Sequence, residues 1–292
     1  MHPWVSAPID QVMGFNLLPD DVLLEIFGFY MENPSYRGKA EIEAWKSLVH
    51  VCRRWRSLVF RSPHHLNLTL FCTPETPARD TLDVWPALPL LIAGNMASSS
   101  VTDNVIAALG QNNRVREIVL LELTGWQLEK VLAPMQVPLP ELTDLRLCSR
   151  PSHDETPIIP DSFLDGCAPR LRKINLDSIS FPKLPILFLS ATRLVKLYLY
   201  NIPHSSYISP KATVALLSML SSLESLYLLF QSPQSRPDWE SRSLPPQIRS
   251  ILPALDEFRF KGVTEYLEGL VTRIDTPQLS QMHITFFNQI KF

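Results

Sequence analysis

LVKLYL, residues 194–199, has leucine at its first, fourth and sixth positions and polar or aromatic residues between them. Alternation over its last residues is the period of a strand that buries one face. A single hexapeptide of this kind carries little weight, but the form recurs. VREIVL starts at Val115, LTDLRL at Leu142, LRKINL at Leu171, LESLYL at Leu223, LDEFRF at Leu255 and LSQMHI at Leu279, each 23 to 32 residues after the one before. Seven copies at a near-constant period point to a repeat architecture, in which each unit buries its apolar face against its neighbours.

Just ahead of the first copy and between the later ones lie helix-length amphipathic stretches. These are TDNVIAALG (102–110), GWQLEKVLAPM (125–135), SPKATVALLSMLSS (209–222), PPQIRSILPA (245–254) and TEYLEGLVTRI (264–274). Alternating strand and helix predicts an α/β fold: an irregular solenoid with parallel strands on its concave side and helices on its convex side. A compact α/β domain fits less well, because its buried strands would read as continuous apolar runs. Ahead of the repeats, SPHHLNLTLF (62–71) alternates at Leu66, Leu68 and Leu70 and predicts a first strand, and TPETPARD (73–80) predicts a polar turn. QSPQSRPDWESRS (231–243) reads as a polar loop within one repeat.

Composition narrows the function classes. Lys plus Arg is 27 and Asp plus Glu is 29, a formal net charge of −2, so no global field favours nucleic acid or an anionic membrane. Four cysteines, Cys52, Cys72, Cys148 and Cys167, are too widely spaced for a disulfide scaffold and fit a reducing compartment. The start, MHPWVSAPIDQVMGFN, lacks a basic n-region and an apolar h-region, and WPALPLLIA (85–93) is half a membrane span. The expectation is a soluble intracellular protein, cytoplasmic or nuclear. With 26 prolines and 9 glycines the chain has many short elements, and no phosphate-cradling glycine motif is found.

Upstream of the repeats, residues 18–60 read as helices with surplus apolar surface. LPDDVLLEIF (18–27) opens with Pro19 at a helix start and Asp20 and Asp21 at the positive dipole end. Val22, Leu23, Leu24, Ile26, Phe27, Phe29 and Tyr30 follow, broken only by Glu25 and Gly28. In SLVHVCRRWRSLVF (47–60), Leu48, Val51, Cys52, Trp55, Leu58 and Val59 share one helical face, with Arg53, Arg54 and Arg56 on the other. So small a segment is expected to bury one apolar face internally and offer another to a partner.

This stretch closely resembles the F-box: Leu18, Pro19, Ile26, Phe27, Leu48, Val51, Cys52, Trp55 and Leu58 occupy the positions of that motif. It departs from the family in the long connection from Met31 to Ala44. The repeats resemble leucine-rich repeats, of the irregular, proline-rich fungal type. The combination resembles the substrate-receptor subunits of SCF-type ubiquitin ligases, which implies a tail at 1–17, an F-box at 18–62, a linker with an N-terminal repeat at 63–113 and repeats at 114–292. It further implies that the F-box docks on a Skp-type adaptor, and through it a cullin, by way of Leu18, Pro19, Val22, Ile26, Val51, Cys52 and Trp55. The repeats would capture a target protein. No catalytic residue, metal or cofactor is implied. The competing reading is a repeat scaffold, unconnected with ubiquitination, whose helices cap the repeats.

Other chemistry is weaker. His64, His65 and Cys72 lack a fourth ligand at zinc spacing, and His153-Asp154-Glu155 lacks a nucleophile. Arg53, Arg54, Arg56 and Arg61 read as the solvated face of a helix rather than a nucleic-acid patch. Thr73, Thr76, Thr156 and Thr276 each precede proline, a pairing expected by chance in this composition. The chain stops at QIKF with no capping helix, so either self-association through that end or a sequence that stops short is expected. The third, fifth and seventh positions of the repeats should face away from the core. There Tyr198, Tyr200, Tyr227 and Leu229 meet on neighbouring strands beside Lys173, Lys196, Arg259 and Lys261. Tyr198, Tyr200, Tyr227, Leu229, Lys196 and Arg259 are the expected target site, with an acidic or phosphorylated ligand.

Overall fold

The structure, a computed structural model, describes residues 18–31, 44–97, 102–150, 158–181, 187, 189–233 and 249–287. The expected tail, the middle of the Met31–Ala44 connection, His153 to Thr156 and most of the 231–243 loop lie outside these. The chain divides into two units, Met1–Phe71 and Cys72–Phe292.

In the first unit, helix α1 (Asp20–Met31) sets Asp20 and Asp21 at its positive end and buries Leu23 and Phe27. The helical face expected over 47–60 is not continuous. Helix α2 (Trp45–Val49) ends at a turn, and α3 (Arg53–Arg61) begins after Cys52, whose backbone is extended and whose sulfur accepts from the Trp55 N–H. The break divides the expected face. Leu48, Leu58 and Val59 are buried, whereas Val51 and Cys52 are exposed at the turn. Expected as a strand, 62–71 is one only at its end, β1 (Leu70–Cys72), because residues 63–67 turn and Asn67 takes a left-handed φ of 46°. Its leucines are nevertheless buried, and Trp45 Nε1 donates to the Thr69 carbonyl at 3.0 Å, so this segment belongs with the helices.

In the second unit the polar turn expected at 73–80 ends early, and α4 (Ala78–Val84) starts within it after Pro77. Next come β2 (Leu90–Asn95), α5 (Thr102–Leu109), β3 (Val115–Leu123), α6 (Gly125–Leu132), β4 (Asp144–Ser149), β5 (Lys173–Asp177), β6 (Lys196–Ile202), α7 (Pro210–Leu217) and β7 (Ser225–Phe230). The chain then continues through β8 (Ser250–Ile251), β9 (Glu257–Gly262), α8 (Thr264–Val271), β10 (Ile274–Asp275) and β11 (Gln281–Phe286). The helix expected over 245–254 is not found in its described part, which holds β8, paired in parallel with β10.

Strands β2, β3, β4, β5, β6, β7, β9 and β11 form one sheet, each parallel to the next. Strand order never reverses, and crossovers of one hand then put the described helices that connect these strands on one face. Caps set the helix starts: Thr124 and Gln127 form a capping box on α6, and Ser209 accepts from the Ala212 N–H ahead of Pro210 on α7.

The leucine pattern sets the register. In the first six repeats the first, fourth and sixth positions are buried almost completely, from Val115, Ile118 and Leu120 to Leu255, Phe258 and Phe260. In the seventh this fails: Met282 is 53% exposed and Ile284 39%, because no described element covers β11. Glu122, Ser178 and Asn201, each at the eighth position of its repeat, adopt left-handed φ of 57°, 58° and 47°. At Glu122 and Asn201 the extra residue bulges the strand and shifts its register. Asp177 ties two of these residues together, accepting from Ser178 Oγ at 2.9 Å and Asn201 Nδ2 at 2.8 Å.

Candidate functional site

Two surfaces hold the residues singled out in the sequence. In the first unit, Phe27 turns inward and its ring lies 4.7 Å from that of Trp55, which is half-buried. Arg54, expected to be solvated, binds the start of α1 instead. It donates to the Leu18 carbonyl at 2.5 Å and to Asp20 Oδ1 at 2.7 Å, which draws Leu18 and Pro19 against the first turn of α3. Arg56 is similarly engaged, donating through Nε to the Val49 carbonyl at 2.9 Å.

Part of what faces outward is apolar. Val22 is 39% exposed, Ile26 40%, Phe29 74% and Val51 58%, with Pro19 and Cys52 also exposed and Leu18 half-buried. Val22, Ile26 and Phe29 follow the i, i+4, i+7 spacing of one helical stripe, the form in which a helix presents anchors to a groove. Phe29 was absent from the expected site. Its signal was available, since Leu23 and Phe27 occupy the inward side and leave Phe29 in line with Ile26.

In the second unit, the fifth repeat positions form an unbroken register column: Val119, Arg146, Asn175, Tyr198, Tyr227, Arg259 and His283. Tyr198 and Tyr227 lie with ring centroids 4.3 Å apart, and Tyr200 meets Tyr227 edge-on at 5.9 Å. Tyr200 and Leu229 are not register partners, because the bulge at Asn201 shifts the pairing. The Lys173 ammonium sits 5.8 Å from the Tyr198 ring and the Arg259 guanidinium 4.7 Å from Tyr227.

Glu257, which the sequence reading passed over, changes the electrostatics of this face. Tyr227 donates to Glu257 Oε1 at 2.6 Å, and Arg259 donates to the same oxygen at 2.9 Å through Nε and pairs with it at 2.8 Å. Arg259 is thus neutralised within the patch rather than free for a ligand. Tyr227 is 8% exposed, and burial together with the carboxylate beside it holds its phenol far above the ordinary range. The Glu257 carboxyl is held below its ordinary value, chiefly by the Tyr227 hydrogen bond and then by Arg259. Burial also raises the Tyr200 phenol. Asn175, next in the column, is buried with its Oδ1 unpartnered among the described residues.

No family model and no curated protein matches this chain. The surfaces themselves must therefore carry the functional argument. Among the described residues no group of three His, Cys, Asp or Glu side chains could hold a metal, and no helix is long and apolar enough to cross a membrane. One surface is an apolar stripe on a small helical unit. The other is an aromatic platform with cations on the uncovered face of a sheet. Both have the chemistry of protein recognition.

Proposed function

We propose that this chain is the substrate-recognition subunit of an SCF-type ubiquitin ligase, acting in the cytoplasm or nucleus. In this reading the first unit is an F-box that binds a Skp-type adaptor and, through it, a cullin. The second is a leucine-rich-repeat solenoid whose open, concave face binds the target protein. The chain performs no chemistry of its own and works by raising the effective concentration of target near the ubiquitin donor.

The observation that carries the reading is the exposed set Pro19, Val22, Ile26, Phe29, Val51 and Cys52. Five of these six are among the seven residues through which the F-box resemblance implies docking, and they stay exposed while their neighbours Leu23, Phe27, Leu48 and Leu58 are consumed by the core. Apolar residues at that density on a small unit call for a partner. Co-purification of the full chain with a Skp-type adaptor tests it. Retention of the adaptor, and its loss on changing Leu18 and Pro19 together to Ala, is expected. If no adaptor is retained, the remaining reading is a repeat scaffold outside ubiquitination.

A further inference from the structure

We propose that the open face of the second unit reads the main chain of its target at Asn175, whose side-chain amide pairs with the N–H and the C=O of one residue in an extended, uncharged segment. The inference rests on the reading of the second unit as a target-binding module. It names a residue outside the tyrosine platform, and a ligand chemistry that the platform does not specify.

Asn175 stands at the fifth position of its repeat, in register between Arg146 on β4 and Tyr198 on β6. Fifth positions point away from the core, and Arg146 and Arg259 in the same column are exposed. Asn175 is only 7% exposed, yet its side chain makes no hydrogen bond among the described residues and its Oδ1 is buried. The polar groups beside it on β5 are engaged elsewhere. The Lys173 ammonium faces the Tyr198 ring, and Asp177 accepts from Ser178 and Asn201. An acceptor left unpaired away from water destabilises the fold, and a native chain seldom keeps one without a use for it.

The amide and its surroundings select the partner. Oδ1 needs a donor and Nδ2 an acceptor, so an anion, which only accepts, would leave Oδ1 unpaired. A cation donates, but Arg146 flanks the site in register and Lys173 along the strand, and Asp177 offsets only one of those two charges. A neutral amide supplies both halves. In an extended chain the N–H and C=O of one residue point to the same side, as in the hydrogen-bonded pairs of an antiparallel ladder, and together they match one side-chain amide. Along the column Tyr198 lies one strand and Tyr227 two strands from Asn175, roughly 5 and 10 Å. At about 3.3 Å per residue, a segment laid along the column sets side chains one to three positions from the paired residue on the tyrosines.

The test selects peptides on the full chain from a phage-displayed random library and remakes the enriched sequences with one backbone N–H at a time replaced by N-methyl. One such replacement should raise Kd at least about tenfold, with an apolar or aromatic residue one to three positions from it. Asn175→Leu should raise Kd for the unmodified peptide by a similar factor and abolish the effect of that N-methyl group. It should also hold or raise the urea midpoint, since the branched end is kept and the unpaired acceptor is gone. Asn175→Ala, which needs no added room, should act on binding in the same way. A lowered midpoint with Kd unchanged shows a structural amide and overturns the proposal, as does an N-methyl effect undiminished in both variants. Enrichment of a fixed Asn or Gln with no N-methyl-sensitive position assigns the pairing to a side-chain amide and also overturns it. Peptides that need Tyr198 but are indifferent to Asn175 sink this proposal alone, whereas failure of any peptide to enrich removes the target-binding reading and the proposal with it.

Discussion

Changing Ile26 and Phe29 together to Ala separates docking from folding. Both side chains keep much of their surface in water, 40% for Ile26 and 74% for Phe29, so a large part of their burial is left for a partner. Complete burial of such a side chain is worth about 1.5–3 kcal/mol, and the exposed fractions leave roughly 2 kcal/mol for Phe29 and about 1 kcal/mol for Ile26 to be realised when a partner covers them. Allowing for the methyl that alanine retains, the double variant should lose roughly 2–2.7 kcal/mol of adaptor affinity, about thirty- to a hundredfold in Kd. Its thermal midpoint should move far less than that of a core variant, because Phe29 is mostly in water, Ile26 is only partly buried and alanine favours the helix. Phe27→Ala supplies the contrast, since a fully buried Phe packed at a tilt against Trp55 should cost about 3–5 kcal/mol of folding stability. Calorimetric titration with a purified Skp-type adaptor, alongside thermal unfolding of each variant, reads both effects. A Kd within about threefold of the parent would refute the stripe as a docking surface.

Further outcomes follow from the same geometry. Arg54→Ala should weaken adaptor binding through the faster dissociation seen by surface plasmon resonance, because Leu18 and Pro19 lose their tether; an unchanged dissociation rate would show the tether to be idle. Tyr198→Ala should lower target capture by roughly 2 kcal/mol, as interface aromatics do, whereas Tyr227→Phe should act mainly on folding, by about 1–2 kcal/mol, since its hydroxyl serves Glu257. Glu257 has a folded pKa below its ordinary 4.5, so its stabilisation is complete above that pH and is lost as pH falls through the folded value. Glu257→Gln should accordingly narrow the gap between urea midpoints measured near pH 7 and near pH 4, and an unchanged gap would exclude the coupling. Ile174→Ala should cost about 2–5 kcal/mol in chemical denaturation and Met282→Ala far less, because equivalent repeat positions are buried in the fifth strand and open in the last.

The sheet was legible because the pattern is repeated. Each L-x-x-L-x-L hexapeptide is weak, but a parallel sheet in chain order forces the same positions inward strand after strand, so seven weak signals share one register. Places where a single residue overrides the period were less legible. Nothing in Cys52 announces that it caps a helix rather than continuing one, so the 47–60 face was read as unbroken. The bulges depend on Glu122 and Asn201 taking left-handed backbone, a choice that asparagine hints at and glutamate does not. PPQIRSILPA has helical spacing, yet Ser250 and Ile251 pair with Ile274 and Asp275, a tertiary contact that local propensity cannot see.

The two surfaces were legible for opposite reasons. Docking residues in the first unit showed themselves as an excess, more apolar side chains than so small a core can use, and the structure divides that excess into Leu23 and Phe27 within and Val22, Ile26 and Phe29 without. The tyrosine platform showed itself through register, since strand pairing alone brings Tyr198 beside Tyr227. Compensation between side chains leaves no such mark in a sequence. Glu257 stands in a different register column from Tyr227 and Arg259, so reading down the fifth positions left it out, although it decides whether Arg259 is available.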